Sequence, residues 1–395
     1  MDLPALDSLP LKGKTALVRV DFNVPVSDGR VTDTRRIEAA LDTIRTLRER
    51  SARVVLLTHF GRPEGKSIEE FRVDPIAAEL ARLLQAPVVK FDAVTGGRLA
   101  ARIKTGRPAE IFLLENLRFD PREEENDAGF AAVLASLGDA YVNEAFAVCH
   151  RAHASVDALA RLLPAAAGRA LQHEVDSLNQ LKENPEKPYA VVLGGKKIAD
   201  KIGLLRALLP KASLLFLGGG MANTFLAAQG FNLGRSFVEQ ERLDAARAIL
   251  KEAGERGVRV HLPEDLRAAD PATGGSLGDF SPADFPAHAA AMDIGPRTAF
   301  AYAAALQLAK TVFCNGPLGV FEMPAFQSGT VAVLKAVGTL DAVKIAGGGE
   351  TVAALELAGV ARQFTFVSTG GGAALALLAG EPMPGLDALQ KGGQP

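Results

Sequence analysis

The chain has 395 residues, 48% of them hydrophobic and 23% charged, with 44 Lys+Arg against 46 Asp+Glu and a formal net charge of −2. That length suggests two domains, the apolar content excludes a mainly disordered chain, and the charge balance argues against a protein that coats nucleic acid or an anionic membrane. Two cysteines, Cys149 and Cys314, cannot build a disulfide framework. The first residues carry acids and prolines instead of a cationic start and an apolar run, and no apolar run is long enough to span a bilayer. A cytoplasmic protein, binding neither nucleic acid nor membrane, is expected.

In chain order, apolar runs suited to strands lie at Thr15–Val20, Arg53–Thr58, Pro87–Phe91, Glu110–Leu114 and Asp139–Val142. Helical periodicity fills Thr34–Arg50 and Pro75–Gln85 between them. Alternation of strand and helix, with strands apolar on both faces, predicts a parallel sheet covered by helices. Leu171–Lys182 then forms one amphipathic helix, with Leu171, Val175, Leu178 and Leu181 on one face, stopped by Glu183-Asn184-Pro185-Glu186-Lys187-Pro188. The pattern restarts with strands at Tyr189–Leu193, Ser213–Leu217, Arg259–Leu262, Thr311–Phe313, Val343–Ala346 and Phe364–Val367. The expected architecture is α/β: two doubly wound parallel-sheet, Rossmann-like domains, residues 1–170 and 189–380, joined by a helical hinge at 171–188. Residues 381–395 read as a tail of little periodicity that packs back on the hinge or the first domain.

The two parts use different chemistry. Residues 1–170 hold 24 cations, 19 of them Arg, and 10 glycines; residues 171–395 hold 20 cations, 9 of them Arg, and 29 glycines. Ligands of open α/β sheets bind beyond the carboxyl ends of the strands. In the first part those positions carry Asp21 and Asn23, His59 and Arg62, Asn116 and Arg118, and His150, Arg151 and His153, with Arg35 and Arg36 at the start of a helix. Convergence of Arg36, Arg62, Arg118 and Arg151 beside His59 calls for an anionic partner, and a small phosphorylated carboxylic acid fits. In the second part, Gly194-Gly195-Lys196-Lys197, Gly218-Gly219-Gly220, Asn315-Gly316-Pro317-Leu318-Gly319, Gly347-Gly348-Gly349-Glu350-Thr351 and Ser368-Thr369-Gly370-Gly371-Gly372 each follow a strand. Strand, glycine run and helix together form a phosphate cradle, so a nucleotide is expected here. Lys197 and Lys201 are spaced to share a helix face.

Other motifs carry less. Gly61–Ser67 lacks the spacing of a P-loop, Cys149-His150-x-x-His153 is too sparse for zinc, and Glu123–Glu125 reads as a solvated loop. A dehydrogenase would need a dinucleotide fingerprint, and a bilobal solute-binding protein would need an export signal.

Nine blocks make the sequence similar to the phosphoglycerate kinases over essentially its whole length. They are RVDFNVP (Arg19–Pro25), THFGRP (Thr58–Pro63), ENLRF (Glu115–Phe119), HRAHAS (His150–Ser155), GGKKIADKI (Gly194–Ile202), GGGMANTF (Gly218–Phe225), NGPLGVFE (Asn315–Glu322), GGGET (Gly347–Thr351) and VSTGGGA (Val367–Ala373). The resemblance implies reversible phosphoryl transfer between 1,3-bisphosphoglycerate and ADP, giving 3-phosphoglycerate and ATP, by a monomeric, hinge-bending, Mg²⁺-dependent enzyme. It implies acid contacts from Asp21, Asn23, Arg36, His59, Arg62, Arg118 and Arg151. It implies nucleotide contacts from Lys197, Lys201, Gly219, Gly295, Asn315, Glu322, Gly348, Gly349, Glu350 and Thr351. Arg36 and Lys201 are the expected catalytic pair. Three departures stand out: Lys196 where the family has Ala, Glu350 where it has a magnesium-associated Asp, and Ala374 and Ala376 where Ser and Glu are usual. The extra methylene of Glu350 favours a water-mediated metal contact. Another two-lobed, nucleotide-dependent α/β enzyme acting on a small phosphorylated acid is the alternative.

Overall fold

The computed structural model describes residues 2–392. Contacts divide the chain into two units, residues 1–176 with 381–395, and residues 177–380.

The first unit opens with β1 (Thr15–Arg19), the short hairpin β2 (Val26–Ser27) and β3 (Arg30–Val31), and α1 (Arg35–Glu49). It continues through β4 (Arg53–Leu57), α2 (Asp74–Leu84), β5 (Val88–Lys90), α3 (Gly97–Lys104), β6 (Ile111–Leu113), α4 (Ala128–Ala135), β7 (Ala140–Asn143) and β8 (Ala165–Ala167). The sheet order is β5-β6-β4-β1-β7-β8, and every pairing is parallel. All five β1 residues are buried, as a strand covered on both faces requires. Ile37, Ala40, Leu41, Ile44 and Leu47 form the buried stripe of α1 and join Val18, Val54 and Leu56 in one core. Each fully buried Val, Leu or Ile of this kind contributes about 1.5–3 kcal/mol.

Helix α5 (Arg169–Glu183) straddles the division between the units, and Leu171, Val175, Leu178 and Leu181 are all fully buried. Its first turn is capped from the end of β7. Glu144 accepts from Ala170 N at 3.1 Å, Leu171 N at 3.0 Å and Thr43 Oγ1 at 2.5 Å. Burial pushes this carboxyl up to about 7 despite those donors. Glu144→Ala leaves two amides and a hydroxyl unpaired in a dry site, which should cost about 3 kcal/mol, measured as a lower urea midpoint.

The second unit comprises β9 (Tyr189–Leu193), α6 (Ile202–Leu208), β10 (Leu214–Leu217), α7 (Gly219–Ala228), α8 (Leu243–Glu255), β11 (Arg259–His261), β12 (Leu266–Ala269), β13 (Ser276–Phe280), β14 (Ala290–Ile294), α9 (Pro296–Leu306), β15 (Thr311–Asn315), α10 (Ser328–Gly338), β16 (Val343–Gly347), α11 (Gly349–Ala358), β17 (Phe366–Ser368) and α12 (Gly372–Ala379). Its parallel sheet has the order β11-β10-β9-β15-β16-β17. A separate antiparallel sheet, β13-β12-β14, has no counterpart in the strand pattern read from the sequence. Its strands are rich in Ala, Gly and Asp, which are poor strand formers, and β13 is largely exposed.

The tail is more regular than the little periodicity read in its sequence. Pro384–Lys391 forms α13, a helix of the first unit, because Leu386 and Leu389 bury one face and Gly385 N donates to Cys149 O at 2.9 Å. Residues 393–395 of the tail lie outside the described residues. No helix is long and apolar enough to cross a membrane among the described residues.

Candidate active site

In the first unit, β1 has β4 on one side and β7 on the other, so the strand order reverses there, and such switch points open a crevice at the carboxyl edge. Asp21 and Asn23 leave β1, His59 and Arg62 leave β4, Arg118 follows β6, and Arg151 lies in the loop after β7. Arg36 enters from the first turn of α1. Its Nη1 donates to Asp21 Oδ2 at 2.8 Å and to Asn23 O at 3.3 Å. Asn23 Oδ1 accepts from Gly61 N at 3.0 Å, and Arg118 Nη1 donates to Gly61 O at 2.7 Å. These bonds fix the Gly61 turn that carries Arg62. Arg62 is exposed and has no ion-pair partner among the described residues. Arg118 is buried with its Nε 3.1 Å from Glu124 Oε1. Arg151 Nε donates to His150 Nε2 at 3.3 Å.

The electrostatics show which of these groups share a field. Burial, then Arg19, Arg118, His153 and Arg36, hold His59 well below the usual histidine range. Burial, then Arg19, Arg118, Arg151 and His150, push His153 down to about 3. Both imidazoles are therefore neutral at ordinary pH, and the positive potential of the rim comes from guanidiniums alone. Burial disfavours the Arg118 charge, Glu124 offsets this, and Arg19 and Arg151 add to the strain. An anion resting here relieves that repulsion.

Two residues of this centre escape a reading of the sequence. Arg19, the last residue of β1, is fully buried against His59. Glu123, expected in a solvated loop, is also fully buried and accepts from Ser155 N at 2.9 Å and Ser155 Oγ at 2.5 Å. The available signal was Arg19 itself, a charge closing an otherwise apolar strand. Burial raises the Cys149 thiol to about 12, so the free thiol is not an activated nucleophile. No cluster of three or more metal-ligating side chains occurs among the described residues.

In the second unit, loops after β9, β10, β15 and β16 surround a groove of about 490 Å³. Among the sequence candidates, Gly219, Glu322 and Glu350 line it, together with Lys196, noted in the sequence as a departure from the family pattern, and Asn223 and Phe237, which the sequence did not single out. Lys196 Nζ lies 5.0 Å from the centre of the Phe237 ring. Gly219 opens α7 with φ +66°, and a Cβ there would come 2.7 Å from Gly195 O. Only glycine lets these two loops touch. Gly348 caps α11 at φ +95° with Asn315 Nδ2 close by, and Gly349 is the first residue of that helix. Thr351 Oγ1 donates to Gly347 O at 2.7 Å and accepts from Gly316 N at 2.7 Å, while Asn315 Nδ2 donates to Gly347 O at 2.7 Å. Asn315 and Thr351 thus tie the β15 and β16 loops together behind the groove. Gly295 caps α9 against the Asp265 side chain.

The helical pairing of Lys197 and Lys201 does not occur. Residues 194–201 form bends and turns, and Lys201 is the N-cap of α6. Glu239 accepts from Ile198 N and Gly195 N donates to Pro317 O at 2.8 Å, which holds this segment out of a helix. Lys197 is exposed. Lys201 turns inward, its Nζ donating to Gly194 O at 2.5 Å and Asn315 O at 2.9 Å. Burial pulls its pKa down to about 8, against the pull of Glu350 and Asp200.

A model of the phosphoglycerate kinase family matches residues 6–381. The chain belongs to the phosphoglycerate kinase family. It is 49% identical over 385 residues to the phosphoglycerate kinase of Moorella thermoacetica, covering 97% of this chain and 98% of that one. It is 47% identical over 384 residues to that of Thermomicrobium roseum, covering 97% and 98%. The phosphoglycerate kinase structure from Coxiella burnetii superposes with a TM-score of 0.90 at 39% identity, covering 99% of each chain. That from Pyrococcus horikoshii gives 0.85 at 33%, covering 98% of this chain and 99% of that one. The two parallel-sheet units are the architecture of the phosphoglycerate kinase fold, and the chain is a phosphotransferase with a carboxyl group as acceptor.

Proposed function

We propose that the arginine rim of the first unit holds 3-phosphoglycerate or 1,3-bisphosphoglycerate, and that the glycine-walled groove of the second holds ATP or ADP. The observation that carries this reading is the pairing of two unlike anion sites in a chain of this family: guanidiniums around neutral imidazoles in one unit, helix N-termini and glycines in the other. In the ATP-consuming direction, a carboxylate oxygen of 3-phosphoglycerate attacks the terminal phosphorus while the bond to the ADP oxygen breaks. A free carboxyl group has a pKa near about 4, so the nucleophile is already ionised and needs no base. Arg36 and Lys201, one from each unit, supply charge to the transferred phosphoryl group. The units close about the α5 region to exclude water during transfer.

Magnesium is implied by the family. The donor set suits it: Glu350 is an exposed carboxylate in the first turn of α11 at the wall of the groove. Mg²⁺ commonly takes one or two protein carboxylates and fills its shell with phosphates and water. When bound, the ion neutralises nucleotide phosphate charge, and Glu350 holds it through water. Glu350→Asp should leave metal-nucleotide affinity unchanged or tighten it, measured by calorimetric titration with ADP and Mg²⁺; complete loss of activity contradicts the water-mediated contact.

The enzyme acts as a cytoplasmic monomer. Two buried, free thiols suit a reducing compartment. A coupled assay for ATP-dependent consumption of 3-phosphoglycerate tests the whole reading. Robust turnover is expected, and its absence overturns the assignment.

A further inference from the structure

Arg19 is fully buried at the end of β1, beyond the reach of a ligand in the rim. Its Nε donates to Ser155 Oγ at 2.8 Å, its Nη1 to Val20 O at 2.5 Å, and its Nη2 meets His59 Nδ1 at 3.1 Å. Its counter-charge reaches it through one hydroxyl. Ser155 Oγ has a single proton, and Arg19 cannot accept it. That proton therefore goes to Glu123 Oε1, 2.5 Å away, leaving a lone pair for Arg19 Nε–H. Ser155 is held from two further sides: its amide donates to Glu123 Oε2 at 2.9 Å, and its carbonyl accepts from Tyr141 Oη at 2.8 Å. It sits on a π-helical turn, Ala154–Ala158, a geometry enriched at functional sites.

The direction of this chain determines the far end. Arginine has donors and no acceptor, so Arg19 Nη2–H donates to His59 Nδ1, and Nδ1 carries no proton. The His59 proton lies on Nε2, which faces Asp21, 4.0 Å from its Oδ1. Burial first, then Arg19, Arg118, His153 and Arg36, keeps the ring neutral, against the pull of the Asp21 carboxylate that faces Nε2.

We infer that Glu123, acting through Ser155 and Arg19, is a positioning residue that locks His59 as the neutral Nε2–H tautomer, so that His59 meets the phosphorylated acid as a directional hydrogen-bond donor and not as a cation. This rests on the reading of the rim as the acid pocket. It divides the work there: arginines recognise charge, and His59 recognises an acceptor oxygen of the substrate, from its carboxylate or hydroxyl, at one fixed position.

The test is side-chain ¹⁵N–¹H spectroscopy of His59 in the full-length enzyme, paired with kinetics. The wild type should show an unprotonated Nδ1 and a protonated Nε2 across about pH 5–8, the range in which a free imidazole titrates. An imidazolium or an Nδ1–H tautomer overturns the inference. Glu123→Gln alone leaves Arg19 without a buried counter-charge and risks the fold, so the decisive variant is Arg19→Met with Glu123→Gln, which removes both charges together. It should show mixed tautomers at His59 and a KM for 3-phosphoglycerate raised about tenfold, with kcat and the KM for ATP changed less than about threefold. An unchanged tautomer and KM would reduce Glu123 and Arg19 to structural residues. Should that variant not fold, Ser155→Ala breaks the same chain without removing a charge. It should give the same two changes, reversed in Ser155→Thr, and a silent Ser155→Ala overturns the inference. The tautomer is read without turnover, so a wild type inactive toward 3-phosphoglycerate would overturn the functional reading alone.

Discussion

Arg36→Ala is expected to lower kcat about 10³-fold while leaving ATP affinity almost unchanged. Arg36 is the second residue of α1, where the helix N-terminus carries partial positive charge. A cation there is unfavourable to the helix by a few tenths of a kcal/mol. Its ion pair with Asp21, 34% exposed on the arginine side, returns about 0–1 kcal/mol. Folding alone therefore gives little reason for an arginine at this position. The Asp21 and Asn23 contacts use Nη1, and the rest of the guanidinium fork is available to the acid and the transferred group. Removing it should leave the melting temperature unchanged or slightly higher, which separates a catalytic loss from a structural one. Arg36→Lys keeps the charge but loses the planar fork, so it should recover only part of the rate. Wild-type kcat in Arg36→Ala would remove this residue from the mechanism.

Much of the arginine rim was legible because strand ends in a parallel sheet project their next residues to one edge. Asp21, Asn23, His59, Arg118 and Arg151 all follow strands whose apolar runs are plain in the sequence. The same rule could not reveal Glu123. Three consecutive glutamates look alike in a sequence, and only the Ser155 turn, distant along the chain, decides which one goes inward. The groove of the second unit was harder for a related reason. Its glycines announce themselves, but Phe237 and Asn223 join it from an irregular segment and from α7. The Lys197–Lys201 pairing failed because helical spacing was assumed where Glu239 and Pro317 hold a loop of bends and turns. The antiparallel sheet was hidden by weak strand formers whose pairing with one another supplies what their propensity does not.

Lys201 gives the other large effect, and its burial makes the effect depend on pH. Lys201→Met should lower kcat by about 10³-fold, as loss of a cation at developing phosphoryl charge does. In the wild type, the ammonium must be charged to act, and burial lowers its pKa to about 8. The free-enzyme quantity, kcat/KM for ATP, should therefore fall as pH rises through about 8. Bound nucleotide phosphates favour the charged form, so the corresponding fall in kcat should come at higher pH. Lys201→Arg keeps its charge throughout and should lack the limb near 8, at reduced turnover. The sign for stability is opposite. With a folded pKa of about 8 against 10.5 for the free side chain, the unfolded chain binds more protons between those values, so stability rises with pH across that window. The rise is on the order of 3 kcal/mol at most, and Lys201→Met should abolish this contribution in urea titrations at pH values spanning the window. These two outcomes together would mark Lys201 as a residue whose charge costs stability and is kept for chemistry. A variant that lost activity together with stability, and showed no change in either pH profile, would identify Lys201 as a structural contact of Gly194 and Asn315 instead.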